Sequence, residues 1–263
     1  MHRMRIGIIA AYFIAGVLIL SGQTARTDIT VVYNNVPGRA GLETRWGLAV
    51  VIQGLERTIL FDTGGEGTVL LYNLKQLRIA AGNIEAVVLS HIHRDHTGGL
   101  MDFLQAHDRV TVYIPHSFPS RERDAVTATG ARVMDVDTPQ KVCERAWTTG
   151  ELGTHPKEQS LVIDTHRGLV VITGCAHPGV VRIARFVKNH FKKEIYLIMG
   201  GFHLGAYSEE QVRDIIKGLK GLDVQKVGPS HCTGRAALEL FKQAWGDDFI
   251  DLGCGARITI PGK

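Results

Sequence analysis

The sequence predicts an α/β (α+β) fold whose β-structure is mixed rather than wholly parallel, and three observations lead there. The chain has 263 residues, 44% hydrophobic and 21% charged, the balance of a globular protein with room for one sizeable core. Three strand-like segments follow one another before any helical period appears. After them, short apolar strands alternate with helix-periodic stretches, with no linker, charge block or internal repeat.

The first twenty-five residues read apart from the rest. Arg3 and Arg5 precede an uncharged run from Ile6 to Leu20, and Ser21-Gly22-Gln23-Thr24-Ala25 follows, the order of a secretory signal. The apolar run is short for a span of about twenty residues. Gln23 also fits poorly before a cleavage site after Ala25. Residues 1–25 are therefore read as a signal peptide or an uncleaved N-terminal membrane anchor, and residues 26–263 as an exported domain, periplasmic or secreted.

Strands are expected at 29–33, 47–52 and 58–61, where β-branched and apolar residues cluster between Gly and Asn/Pro punctuation. Leu70, Leu71, Leu74 and Leu77 recur at helical spacing and predict a helix over 69–80. A short apolar strand at 86–89 follows. Further strands are expected at 161–163, 169–172, 195–199 and 224–227, with helices at 180–190, 209–219 and 236–245. The segment 97–155, with Phe118-Pro119 and the charged stretch 121–124, shows no clear period and is expected to form a flap that decides the substrate.

Charge and composition exclude several classes. Thirty Lys/Arg against 26 Asp/Glu give a formal charge of +4 without a basic run that would track a nucleic-acid backbone, so no nucleic-acid partner is indicated. Thirty glycines and eight prolines carry no period and point to tight loops. All four cysteines lie far downstream of Leu20, which excludes a lipid anchor there. Cys143 and Cys254 are left as a candidate disulfide, whereas Cys175 and Cys232 sit near histidines and are read as buried or site-lining thiols.

Chemistry concentrates after the strand at 86–89. Ser90-His91-Ile92-His93-Arg94-Asp95-His96-Thr97-Gly98-Gly99 packs three imidazoles and a carboxylate into six residues. His91 and His93, two apart at the end of an extended strand, can share one ion, and Asp95 and His96, on the turn into a helix, can face a second. Nitrogen and oxygen donors without thiolate suit zinc, iron or manganese.

This His-x-His-x-Asp-His run, with Phe61-Asp62-Thr63-Gly64 upstream, resembles the metallo-β-lactamase superfamily of binuclear metallohydrolases, over about Thr58 to Ile260. The segments Gly168 to Gly179, Met199 to Leu204 and Val227 to Gly234 are similar to the branch named after the archaeal dihydropterin ribofuranosylaminobenzene phosphate synthase. The resemblance implies a four-layer αβ/βα sandwich: two mixed β-sheets face to face, helices outside, and metals in a cleft at one edge. It also implies that His91, His93 and a later histidine hold one ion while Asp95, His96 and His231 hold the other. His177 is assigned as the later histidine. The chain departs from the commoner pattern, because Thr173-Gly174 is followed by Cys175 rather than a bridging aspartate, and Glu158-Gln159-Ser160 stands where a histidine is expected. Three readings stay open: His177 replaces the missing ligand, Cys175 approaches the metals, or Glu158 takes a carboxylate role.

The resemblance further implies that Asp62 supports the histidine cluster by accepting a hydrogen bond. His203, after Gly200-Gly201 at a strand end, is read as a substrate-contacting or proton-transfer group. Gly64-Gly65-Glu66-Gly67 lacks the Lys-Ser/Thr of a phosphate loop and is read as a tight turn. Arg235 is read as a solvated helix residue, and His107, His116, His155, His166 and His190 as ordinary ones. The implied function is a metal-dependent hydrolase acting on a small-molecule ester, lactone, thioester or phosphoester. Two divalent ions, zinc first and iron or manganese next, would supply a metal-bound hydroxide that Asp95 orients, with His203 protonating the leaving group. Two alternatives stand beside it: a transferase acting on a diphosphate-activated pterin-like substrate, and a non-catalytic metal- or ligand-binding protein.

Overall fold

Near-continuous burial along most strands gives each sheet two apolar faces, and so dictates a layered structure. The computed structural model describes residues 26–262, and the expected signal or anchor segment lies outside them. The chain opens with the antiparallel strands β1 (Thr27–Asn34), β2 (Leu48–Gln53) and β3 (Ile59–Phe61). Helix α1 (Gly67–Gln76), strand β4 (Ala86–Val88), helices α2 (Arg94–Thr97) and α3 (Leu100–Ala106), β5 (Thr111–Pro115), α4 (Ser120–Ala128) and β6 (Arg132–Val136) continue the same sheet in parallel. A meander of β7 (Gln140–Cys143), β8 (Ala146–Thr148), β9 (Leu161–Thr165) and β10 (Gly168–Thr173) starts the second sheet. It is completed in parallel by α5 (Val180–Phe191), β11 (Ile195–Gly201), α6 (Glu209–Lys220), β12 (Lys226–Ser230) and α7 (Arg235–Trp245), after which β13 (Arg257–Ile260) returns to pair with β1.

The result is a seven-stranded and a six-stranded mixed sheet. Ile29, Val50, Phe61 and Val88 of the first sheet meet Val170, Ile172, Leu197 and Met199 of the second in a common core. The opposite face of the first sheet is covered by α1, α3 and α4 through residues such as Leu70, Leu74, Phe103 and Val126. α5, α6 and α7 cover the second, with Val180, Ile183, Ala184 and Val187 forming one stripe at helical spacing. This is the expected four-layer αβ/βα sandwich.

Several boundaries differ from the sequence reading, each for a local reason. α1 ends at Gln76 although Leu77 continues the apolar stripe, because Arg78 turns into the left-handed region at φ 58° and closes the helix. The last strand of the second sheet runs over 226–230 rather than 224–227. Gly228-Pro229 lies inside it, and a proline is tolerated there because β12 is an edge strand. The segment 97–155 is not a flap: it supplies two helices and four strands to both sheets. All four cysteines are free thiols, so Cys143 and Cys254 are not joined. No helix among the described residues is long and apolar enough to cross a membrane.

The loop between β1 and β2, which borders the cleft, is tied down by the buried amide of Asn73 on α1. Its Nδ2 donates to the carbonyls of Val32 (3.0 Å) and Glu43 (2.8 Å), while Oδ1 accepts the Glu43 N–H (2.9 Å). Asn73→Ala leaves the buried Val32 carbonyl only the weak Cys254 thiol donor (3.7 Å) and frees the loop. We expect it to lower the unfolding free energy by about 1–3 kcal/mol, measured by urea denaturation.

Candidate metal centre

The parallel strands end at a common edge, and the chemistry sits just beyond their carboxyl ends, where doubly layered α/β proteins place ligands. Asp62 follows β3, His91 follows β4 by three residues, Cys175 and His177 follow β10, His203 follows β11 and His231 follows β12. Asp62, Ala176, His203 and His231 all have φ between 53° and 57°, left-handed values uncommon for side-chain-bearing residues. Such turns bend the chain sharply at the strand ends that carry the donors, a strain that clusters at functional sites.

Two donor groups hold the sequence-assigned ligands, and a third, of Cys175, His177 and His203, shares a member with each. The donor atoms of His91, His93 and His177 lie within 4.8 Å of one another, and so do those of Asp95, His96, Cys175 and His231. Within the first group His91 Nε2 and His93 Nδ1 are 3.1 Å apart. In the second, Asp95 Oδ2 lies 3.1 Å from His231 Nε2 and 3.5 Å from His96 Nε2, and Cys175 Sγ lies 3.3 Å from His96 Nε2. Ligands at about 2.0–2.3 Å around a tetrahedral ion are separated by roughly 3.3–3.7 Å; the spacings here, 3.1 to 3.5 Å, lie in or just below that range and suit a divalent cation in each group after a small adjustment. His177 Nε2 supports the fit, being buried without a hydrogen-bond partner. The structure thus brings together all six sequence-assigned ligands and adds Cys175 to the second group.

The imidazoles are aimed by what their other nitrogen touches. Asp62, fully buried, accepts the Ser90 N–H on Oδ1 (2.6 Å) and both the Ser90 hydroxyl (2.7 Å) and His96 Nδ1–H (2.7 Å) on Oδ2. His91 Nδ1–H in turn donates to Ser90 Oγ (2.9 Å), and His231 Nδ1–H donates to Asn35 Oδ1 (2.6 Å). This network assigns the tautomers and leaves Nε2 of His91, His96 and His231 facing the cleft. The roles of Asn35 and Ser90 were absent from the sequence reading, since Asn35 lies 196 residues from the histidine it orients.

Burial dominates the titration of these groups. It pushes His91 well below the ordinary histidine value, helped by the neighbouring His96 and His177 rings, and lowers His93 and His231 as well. Burial and His203 bring His177 down to about 4. His96 moves up: burial opposes its charge, but Asp62 more than compensates. Against the cost of its own burial, Asp95 is held well below the carboxylate range by His231 and His96.

Glu158 does not face the donor groups. It is buried, and its carboxylate accepts backbone N–H groups of the turn that carries Cys175 and His177. His203 is exposed with its ring 4.4 Å from that of His177. On the opposite flank Trp46 is 59% exposed with its ring 4.9 Å from His231. Gly47 holds it there: its φ is 141°, and a Cβ would collide with the Asp95 carbonyl. Ile92, between two ligands, lines a cavity of about 270 Å³ of mixed polarity with Leu100, Met101, Phe118, Arg121 and Glu122. Arg235 is exposed at the start of α7, and His116 meets Asp135 at the surface.

The profile of the Metallo-beta-lactamase superfamily matches residues 47–231. A 7,8-dihydropterin-6-methyl-4-(beta-D-ribofuranosyl)-aminobenzene-5'-phosphate synthase of Methanocaldococcus jannaschii is 28% identical, over 81% of this chain and 90% of its own length. Among solved structures, Tm1679, a metal-dependent hydrolase of the beta-lactamase superfamily, superposes with a TM-score of 0.77 at 25% identity, covering 89% of this chain and 99% of its own. YhfI of Bacillus subtilis, a metallo-beta-lactamase fold protein, gives 0.67 at 14% identity over the same shares and shows the fold alone.

The depressed histidines set a sign for pH. An unfolded histidine titrates near 6.5, whereas folded His177 does so at about 4 and His91, His93 and His231 are also lowered. Between pH 6.5 and 4 the unfolded chain therefore binds more protons, and metal-free protein should lose stability on acidification. His96, raised, is charged in both states well below pH 6.5 and adds no slope there, and Glu158, raised by burial, is a single group of opposite sign against four lowered histidines. Urea midpoints of metal-free protein are expected to fall through this window; a rising midpoint contradicts the assignment.

Proposed function

We propose that this chain, which belongs to the metallo-beta-lactamase superfamily, is a two-metal hydrolase of an ester, lactone, thioester or phosphoester. The observation that carries this reading is the pair of adjoining donor groups, one of three imidazoles and one of carboxylate, imidazoles and thiol. Divalent ions bound there, zinc first, supply Lewis acidity for acidifying water and polarising a substrate oxygen.

The residues of the chain divide the remaining work. Asp95 has a side chain one-fifth exposed, at 20%, so it can accept a hydrogen bond from an attacking water and orient it. Ser90 is excluded as a nucleophile, because its hydroxyl donates to Asp62 and its oxygen accepts from His91. His203, exposed beside His177, is placed to hand a proton to a leaving group. Trp46 supplies an apolar wall on the other flank, so the substrate lies between indole and imidazole.

A second reading, a transferase acting on a diphosphate-activated pterin-like substrate, is favoured by the similarity to the archaeal synthase. The export-like order of residues 1–25 weighs against it, since it would separate the enzyme from a cytoplasmic pterin pool. The same order supports an exported location for the hydrolase. A non-catalytic binding protein is disfavoured because both donor groups are complete, Asp95 included.

The test is a panel of esters, lactones, thioesters and phosphodiesters assayed after zinc or manganese loading, with and without His96→Ala. We expect turnover that a chelator abolishes. His96→Ala should lower kcat/KM more than a hundredfold, beyond the 10–100-fold typical for loss of an outer partner of a ligand, while the His91, His93, His177 group keeps its ion. Activity indifferent to His96→Ala refutes the two-metal reading, and turnover of a pterin diphosphate alone selects the transferase.

A further inference from the structure

Glu158 and Gln159 hold the two ligand-bearing loops from one point in the chain. Gln159 N–H donates to the Ser90 carbonyl (2.9 Å), and its Nε2 donates to the Leu89 carbonyl (2.7 Å), fixing the strand end that leads into His91. Glu158, 1% exposed, takes the other sheet. Its Oε1 accepts the N–H groups of Gly174 (3.0 Å), Cys175 (3.0 Å) and Ala176 (2.9 Å), and Oε2 accepts that of His177 (2.9 Å). Four consecutive amides thus converge on one carboxylate. Ala176, in the left-handed region at φ 56°, gives the turn the curvature that aims them together. Gly174 fits because a Cβ there would collide with Ser90.

We propose that Glu158 is a positioning residue, whose carboxylate sets, through these four amides, where Cys175 Sγ and His177 Nε2 point. This rests on the metal-centre reading and deepens it: the acid of Glu158-Gln159-Ser160 acts as a clamp on the ligand loop and not as a ligand. The chemistry requires a carboxylate. Four donors need an acceptor at both ends of the group, and only the ionised acid offers two oxygens without a hydrogen of its own. A glutamine keeps one oxygen for the three amides on Oε1 but turns its NH₂ toward the His177 N–H, donor against donor.

That asymmetry separates a positioning role from a merely structural one. Wild type and Glu158→Gln are titrated with cobalt(II) as full chains, and amide hydrogen exchange is followed in the metal-free proteins. Wild type should bind two cobalt ions, with a near-ultraviolet thiolate-to-cobalt charge-transfer band from Cys175. Glu158→Gln should keep the band, lose affinity for one ion by roughly 10–100-fold, and lose exchange protection at His177 while Gly174, Cys175 and Ala176 keep theirs. Two cobalt ions bound as in wild type, with unchanged exchange, overturn the proposal. So does uniform loss at both ions and all four amides, the pattern of general destabilisation. If Glu158→Gln does not fold, Glu158→Asp replaces it: its shorter carboxylate cannot span all four amides, and unchanged cobalt affinity in that variant overturns the proposal equally. Wild type that binds no cobalt refutes the metal reading, and the exchange pattern then judges the clamp alone.

Discussion

The carboxylate of Asp62 is the fixed point on which the rest of the centre depends. A fully buried charge must have its hydrogen bonds made locally, and Asp62 finds them in the Ser90 backbone, the Ser90 hydroxyl and His96. Each donor is thereby committed to one orientation. His96 is left with Nε2 toward the cleft, and Ser90, having given its proton away, can only accept from His91. One carboxylate at the end of β3 so determines the tautomer of one ligand in each donor group. The backbone joins in, since the Asp62 N–H donates to Val88 and the Thr63 N–H to His96, which ties the β3 turn to β4 and α2.

Charge gives the same arrangement a second purpose. Four imidazoles are held toward neutrality by burial and mutual repulsion, while Asp62 and Asp95 set carboxylates against the cluster. Neutral nitrogen donors rimmed by carboxylates are what a divalent cation requires, since ligands must be deprotonated to bind it. Cys175 adds a thiol where the commoner pattern of the family places an aspartate. Sulfur brings softer donor character to the second group and distinguishes it from the all-imidazole first one.

The legible part of this centre was the part confined to a few residues of sequence. His91, His93, Asp95 and His96 lie on one strand end and one helical turn, so spacing alone places them together. The strands were legible because unbroken apolar runs such as Leu48 to Ile52, buried throughout, stand between glycine-marked turns. What escaped were contacts made by topology. Asn35 meets His231 because β1 ends beside β12 only after both sheets have assembled. Glu158 acts on the backbone of residues 174–177, an interaction with no signature in side-chain pattern. The segment 97–155 was opaque because β6, β7 and β8 are short and partly exposed, as befits the outer parts of the two sheets.

The central claim is that two divalent ions sit side by side in this cleft. Metal content by mass spectrometry, on protein beginning at Arg26 and purified without chelator or added metal, tests it most directly. About two equivalents of zinc, iron or manganese per chain are expected. Protein that carries none, and takes up none from a micromolar excess of zinc or manganese, contradicts it.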